Sequence, residues 1–212
     1  MISSFTDNWD RENGPLGNGW VSSHLENPSW WDPLELRNNS PVNTQPDQGP
    51  IVRPGNSGGR ASAYRDFGTK FSDQFRLGIR WNGNHQAPAF PIACINADHT
   101  DWGLAFCYEP EIEHGVYVLW ALGRRPDNIH IVKYAKGPDH SDGQSVLFEM
   151  EIDGTLVSCL VDGKRVLSTG IPEKLIGSHV HGFGLDVNPV PGRIADVEVI
   201  DGSFAISSTA DS

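Results

Sequence analysis

From Val146 to Leu167 apolar and polar residues alternate almost without a break, and the dipeptide Asp-Gly interrupts the alternation twice, at Asp153-Gly154 and Asp162-Gly163. A period of two places Val146, Phe148, Met150 and Ile152 on one face of an extended chain and Leu147, Glu149 and Glu151 on the other. Asp and Gly tolerate the left-handed backbone of tight hairpin turns, so this stretch predicts three consecutive antiparallel strands with one dry face. Strand-like runs recur at 71–81, 102–108, 116–122, 129–134, 179–187 and 194–200. No stretch keeps an apolar stripe at helical spacing for three turns, and only residues 172–176 read as a single helical turn. Short strands with frequent turn signals predict an all-β chain, a two-sheet antiparallel sandwich or barrel with very little helix.

At 212 residues the chain is long enough to bury a core as one domain, and a single sandwich over residues 1–206 is the expectation. Residues 38–59 (NNSPVNTQPDQGPIVRPGNSGG) are rich in Pro, Asn and Gly and read as a long surface excursion between strands. Residues 207–212 read as a polar tail, frayed or used as a contact arm. The 16 basic and 27 acidic residues give a net charge of −11, which repels phosphate backbones and anionic headgroups and argues against a nucleic-acid partner. The opening Met1-Ile2-Ser3-Ser4-Phe5 has neither a basic n-region nor an apolar core, and no window approaches a membrane span, so neither export nor membrane insertion is expected. Cys94, Cys107 and Cys159 are odd in number, lie in apolar runs and read as buried free thiols.

Four groups of residues carry candidate chemistry. Glu149, Glu151 and Asp153 alternate along one strand face, and a row of carboxyls is what glycoside cleavage needs. The Glu-x-Asp-x-(x)-Glu motif of laminarinase-like hydrolases has a second glutamate where this chain has Gly154, Thr155 and Leu156, and Asp153 is expected to serve the turn. A solvated outer face is therefore the favoured reading. His179 and His181, with Asp186 beyond them, have the spacing of the first half of a cupin metal motif, but no later histidine completes it, and rim histidines are the favoured reading. Gly182 and Gly184 beside them suggest close backbone approach. The loop from Asn96 to Asp101 offers about half the oxygens that calcium requires, so an Asx-turn capping the strand at Trp102 is the default, with calcium as the alternative and no other cofactor expected. Finally, seven tryptophans are many for a core of this size; Trp30-Trp31 point to opposite sides if extended, and Trp81 leads into an amide-rich loop.

The opening run from Phe5 to Trp20 (FTDNWDRENGPLGNGW) resembles the first segment of concanavalin A-like, laminin-G-type jelly-roll domains, with Trp9 where Phe is usual. Residues 192–201 (GRIADVEVID) resemble the last strand of that family, which pairs near the first, and the hairpin at 153–167 resembles its interior strands. The opening is also similar to minor tail and other virion surface proteins of phages infecting actinobacteria. The resemblance implies a jelly-roll sandwich in a non-catalytic virion component, assembled in the host cytoplasm, with other virion subunits as partners and a host cell-surface glycan as ligand; homo-oligomerisation stays open. Loops on a rigid sandwich are where recognition surfaces sit, so Trp30, Trp31, Trp81, Asp98, Asp101 and Trp102 are the expected ligand-binding residues, rings stacking and carboxylates accepting from hydroxyls. The family also contains hydrolases and lyases, and the alternative is a glycoside hydrolase or polysaccharide lyase using Glu149, Glu151 or Asp153.

Overall fold

A computed structural model describes residues 4–12, 14–22, 31–32, 34–37, 40–43, 59–81, 89–95, 101–109, 115–123, 130–137, 144–187 and 200–209. In chain order these form β1 (Ser4–Asp7), β2 (Gly14–Pro15), β3 (Val21–Ser22), β4 (Trp31–Asp32), β5 (Leu34–Arg37), β6 (Ser40–Asn43), β7 (Gly59–Asp66), β8 (Gln74–Trp81) and β9 (Ala89–Ile95). The series continues with β10 (Asp101–Glu109), β11 (Val116–Gly123), β12 (His130–Lys136), β13 (Val146–Asp153), β14 (Leu156–Val161), β15 (Lys164–Gly170), β16 (Val180–Val187) and β17 (Ile200–Ser208). Two single 3-10 turns, Thr69–Phe71 and Glu173–Leu175, are the helical content among the described residues, the second where one turn was expected.

Two antiparallel sheets face each other as a jelly-roll sandwich. Sheet I has the order β1-β17-β8-β13-β14-β15; sheet II has the order β12-β11-β10-β9-β16-β7-β3, with β4 joining β7 in parallel. A third, small sheet runs β2-β5-β6. The expected three-strand hairpin unit is β13-β14-β15, with Phe148 opposite Val161 and Cys159 opposite Leu167. Its two turns differ. Asp162 and Gly163 both take positive φ (48° and 78°), the pattern of a type I′ turn, whereas Asp153 is the last strand residue, paired with Leu156, and Gly154 (φ 58°) begins the other turn.

On sheet I, β8 and β13 follow the alternation closely. β13 is buried at every second residue, and its inward side chains pair directly with those of β8: Val146 with Trp81, Phe148 with Ile79, Met150 with Leu77 and Ile152 with Phe75. All eight belong to the main core, which also takes Leu104, Phe106, Tyr117, Leu119 and Phe183 from sheet II. β9 and β10 instead are buried along consecutive residues. Sheet II carries a second apolar cluster of Phe90, Ile92, Ile95, Ala105, Cys107 and Val180 on its other face, which is why AFPIACI reads as an unbroken apolar run rather than an alternating one. Gly182 and Gly184 fit the expected close approach: a Cβ on Gly182 would lie 2.0 Å from the Ala63 carbonyl oxygen, and one on Gly184 would lie 2.4 Å from the Phe90 ring.

Two expectations about element bounds are corrected, and a third, the strand at 194–200, lies outside the described residues but for Ile200, where β17 (Ile200–Ser208) begins. Ser207, expected in a loose tail, pairs with Ser4 of β1 and Arg76 of β8, because Phe204 and Ile206 alternate into the core and carry their polar neighbours into the ladder. Ser40–Asn43, at the start of the expected excursion, is the strand β6 paired with β5.

Candidate functional site

The carboxylate row stands where expected, on the outward face of sheet I, and each member is engaged. Glu149 receives a bidentate pair of hydrogen bonds from Arg76, Nε to Oε1 at 2.9 Å and Nη2 to Oε2 at 2.6 Å. Arg165 donates to Glu151 at 3.5 Å, and the Gln74 amide donates to Asp153 at 3.1 Å. Gly78 lies directly opposite Glu149, whose side chain leans over the space a Cβ would fill: the Glu149 Cγ is 2.9 Å from that point. Acids held this way by cross-strand partners form a charge ladder.

The histidine pair does not converge. His179 is partly exposed, and its Nδ1 lies 2.7 Å from Asp66 Oδ1, so it is a rim histidine as expected. His181 is 0% exposed and corrects that reading. Its Nδ1 accepts from the Cys94 amide at 3.1 Å and its Nε2 donates to the Phe71 carbonyl at 2.7 Å, which fixes a neutral tautomer with both ring nitrogens spent. Phe67 stacks on the ring and Phe75 lies 4.3 Å from it. Burial pushes the His181 pKa down to about 4, against the raising effect of the Phe71 carbonyl. Among the described residues no three His, Cys, Asp or Glu side chains are grouped to hold a metal. Cys94, Cys107 and Cys159 are buried and in no disulfide, and burial lifts the Cys94 thiol to about 12.

The described members of the six expected ligand-binding residues, Trp31, Trp81, Asp101 and Trp102, are not brought together. Trp81 ends β8 in the middle of sheet I, 0% exposed, between Val146 and Ile200, with its ring 6.0 Å from Tyr108 and 5.9 Å from Phe148. Its ring is core, because alternation from Phe75 carries it inward, whatever the amide-rich sequence after it suggests. Asp101 and Trp102 begin β10, whereas the Tyr108 that touches Trp81 is near its end, so the two groups are separated by about 20 Å of strand. Trp31 pairs with Arg60 at the start of β7, toward the end of the sandwich where β9 begins and thus away from Asp101. Trp102 falls at a register shift between Asp101 and Gly103. Trp30 and Asp98, like most of the oxygen-rich loop, lie outside the described residues.

The opening motif is a buried clasp. Asp7, 2% exposed, accepts from the Trp9 amide (2.9 Å), Arg11 (2.7 and 3.0 Å), Asn18 (3.0 Å) and the Trp20 indole (2.8 Å). Arg11 also donates to the Leu16 carbonyl at 2.6 Å. Burial alone would raise the Asp7 pKa, but these donors outweigh it and hold the carboxyl below its usual value. The clasp seats Trp9 and Trp20 against Phe183, and Trp20 against Phe204 as well. The spacing of Asp7, Arg11, Leu16 and Trp20 is therefore a folding device that closes the sandwich.

Sequence reasoning passed over a surface on sheet II. Tyr134 (56% exposed) and Ile131 (42%) stand on the edge strand β12, opposite Val118 and Trp120 of β11. The signal was faint, since Ile131 and Tyr134 are three positions apart and a regular strand would turn them to opposite faces.

No protein-family model matches the chain, and no curated protein matches it. Solved structures do. The carbohydrate recognition domain of Emp47p aligns over 98% of this chain and 96% of its own, with a TM-score of 0.56 at 13% identity. The CBM2 module of the evolved Dit of Lactobacillus casei BL23 phage J-1 aligns over the same shares, with a TM-score of 0.61 at 9% identity. A structure described under endo-acting O-glycanases of the human gut microbiota aligns over 96% of this chain and 97% of its own, at 0.52 and 9%. The likeness is one of fold: each aligns with this two-sheet sandwich over nearly its whole length.

Proposed function

We propose that the chain is a non-catalytic carbohydrate-binding sandwich, carried on a phage particle as a tail or capsid component and assembled with other virion subunits in the host cytoplasm. The observation that carries this reading is the end-to-end alignment, at TM-scores of 0.56 and 0.61, with a carbohydrate recognition domain and with a CBM2 module of a phage Dit. The engagement of Glu149, Glu151 and Asp153 by Arg76, Arg165 and Gln74 supports binding over cleavage, because a general acid needs a proton and a second carboxyl facing it. The test is a glycan array and a cell-wall pull-down with the purified chain. Retention on a defined set of saccharides is expected; blank arrays with no wall retention refute the carbohydrate half. Capsid or tail genes flanking its own gene are expected from the particle half.

An enzyme on the same scaffold is the second reading, favoured by the alignment with the structure described under O-glycanases. Turnover of mucin-type O-glycans or β-glucan that disappears in Glu151→Gln supports it; no turnover by the wild type rejects it.

A further inference from the structure

The outward face of sheet II is closed in its middle, where the second apolar cluster buries itself. It opens at its margin, along β12 and at Trp120 of β11, while Val116 and Val118 of β11 stay buried. Leu119 pairs with Lys133 while Trp120 pairs with Ile131, so Val132 is an extra residue in the ladder. Such a bulge re-aims the side chains beyond it. Val132 packs against the main core and Lys133 Nζ reaches the Ser168 carbonyl of sheet I at 2.7 Å, which leaves Ile131 and Tyr134 together on the outward face. Trp120 is half-buried, packed against the second cluster beside Ala105. The result is an apolar strip of Trp120, Ile131 and Tyr134, continuous with the buried cluster, with the exposed Lys136 two residues beyond Tyr134.

Lysines on an edge strand guard against pairing with another sheet, and this accounts for Lys133 and Lys136. It does not account for an exposed tyrosine and isoleucine between and beside them, since an edge built only to repel partners carries polar groups there. The charge is also local: β12 (HIVKYAK) holds two lysines and no acid in a chain of net charge −11.

Resting on the carbohydrate reading above, we infer that the Trp120–Ile131–Tyr134 strip is a saccharide platform and that its ligand is an acidic glycan. The flat apolar side of a sugar ring lies on Tyr134 and the exposed edge of Trp120, and Lys136 holds the carboxylate or phosphate of that residue or its neighbour.

The intact chain is titrated with oligogalacturonate and with a cello-oligosaccharide of equal length, by calorimetry and tryptophan fluorescence. Tyr134→Ala, Lys136→Ala and, on sheet I, Arg165→Ala are compared, with melting temperatures as a check on folding. Expected are tighter binding of the acidic oligosaccharide by the wild type, a loss of tenfold or more in Tyr134→Ala, and a several-fold loss in Lys136→Ala confined to the acidic ligand. Arg165→Ala is expected to bind like the wild type. Wild-type affinity in Tyr134→Ala overturns the platform and leaves the carbohydrate reading standing, as does a wild type that ignores oligogalacturonate while binding other glycans on the array. A wild type blank on every glycan removes both. Self-association that Tyr134→Ala abolishes, without sugar binding, makes the strip a contact between copies and overturns the inference.

Discussion

Sheets I and II close on one core but treat their outer faces in opposite ways. On sheet I the outward positions of β8 and β13, apart from Gly78 and Leu147, are charged or polar and answer one another across the strands, Arg76 to Glu149 and Gln74 to Asp153. On sheet II the outward positions of β9 and β10 are Ile92, Ala105 and Cys107, all but fully buried. A face whose groups satisfy each other has little left for a ligand, and neither has a face that is core. Among the described residues the exposed apolar pair Ile131 and Tyr134 lies at the margin of sheet II, where the buried cluster ends.

Truncation tests this contrast most strongly. Phe148, inward on sheet I, packs edge-on to Phe106 at 5.5 Å, and Phe148→Ala is expected to lose about 3–5 kcal/mol in urea unfolding. Ile92→Ala, outward on sheet II, is expected to lose about 2–4 kcal/mol, a core-sized penalty from a position that a one-faced sheet would leave wet. Arg165→Ala, outward on sheet I with its side chain 60% exposed, is expected to stay within about 0.5 kcal/mol. An Ile92 loss no larger than that of Arg165 makes the second cluster ordinary surface and erases the distinction between the sheets.

Acid should separate the buried polar groups from the ladder. An unfolded histidine takes its proton near 6.5, but His181 in the fold is held at about 4 by burial, with Asp66 and His179 as the charged neighbours acting on it. The unfolded chain therefore binds the extra proton between those values. Stability is full above about pH 6.5 and falls by roughly 3 kcal/mol as pH drops to about 4. Asp7, whose pKa is also depressed, adds a further loss as pH falls through its own lowered value. Urea midpoints at pH 7, 5.5 and 4.5 measure the slope, and His181→Gln should flatten it whatever its absolute stability. The clasp is tested at neutral pH by Asp7→Asn, which leaves Arg11 without its counter-charge and is expected to lose about 2–3 kcal/mol.

The same contrast decides what the sequence could show. β13 was legible because one wet face and one dry face write a period of two, and the two Asp-Gly turns carried the reading on through β14, whose outward Ser158 and Leu160 are buried, and β15 to within a residue or two. β9 was missed because burial on both faces erases the period and Pro91 reads as a strand breaker. Its ladder to β10 covers only Ile92 and Ala93, so the missing N–H of Pro91 falls outside it. The candidate site was less legible. Polarity after Trp81 suggested an exposed ring, but the alternation before it governs, and residues that share a loop-like composition in the sequence sit at two ends of a strand about 20 Å apart. The outward pair Ile131 and Tyr134 depends on a bulge, and a bulge leaves no mark in a pattern of apolar and polar letters. The Phe5 to Trp20 motif was legible as a resemblance, but its physical basis, five donors gathered on Asp7, exists only once the chain has folded back on itself.

The smallest expected effect sharpens the reading of sheet I. Arg76 and Glu149 have the geometry of a strong ion pair, bidentate and at 2.6 Å, with side chains 31% and 14% exposed. Partial exposure admits water and counter-ions, so a double-mutant cycle with Arg76→Ala and Glu149→Gln is expected to give a coupling of only about 0.5–1 kcal/mol, shrinking in 1 M salt. The Arg165–Glu151 pair, at 3.5 Å and more exposed, should give less. Gly78→Ala provides an independent handle, because a Cβ there meets the Phe148 carbonyl oxygen at 3.1 Å as well as Glu149 Cγ at 2.9 Å and must push the glutamate off its partner. If the ladder is only a solvated face, Gly78→Ala removes the coupling and leaves glycan binding as it was. If binding changes while the coupling is small, Arg76 and Glu149 serve a ligand, and the surface of this sandwich that matters is the one whose charges already answer each other.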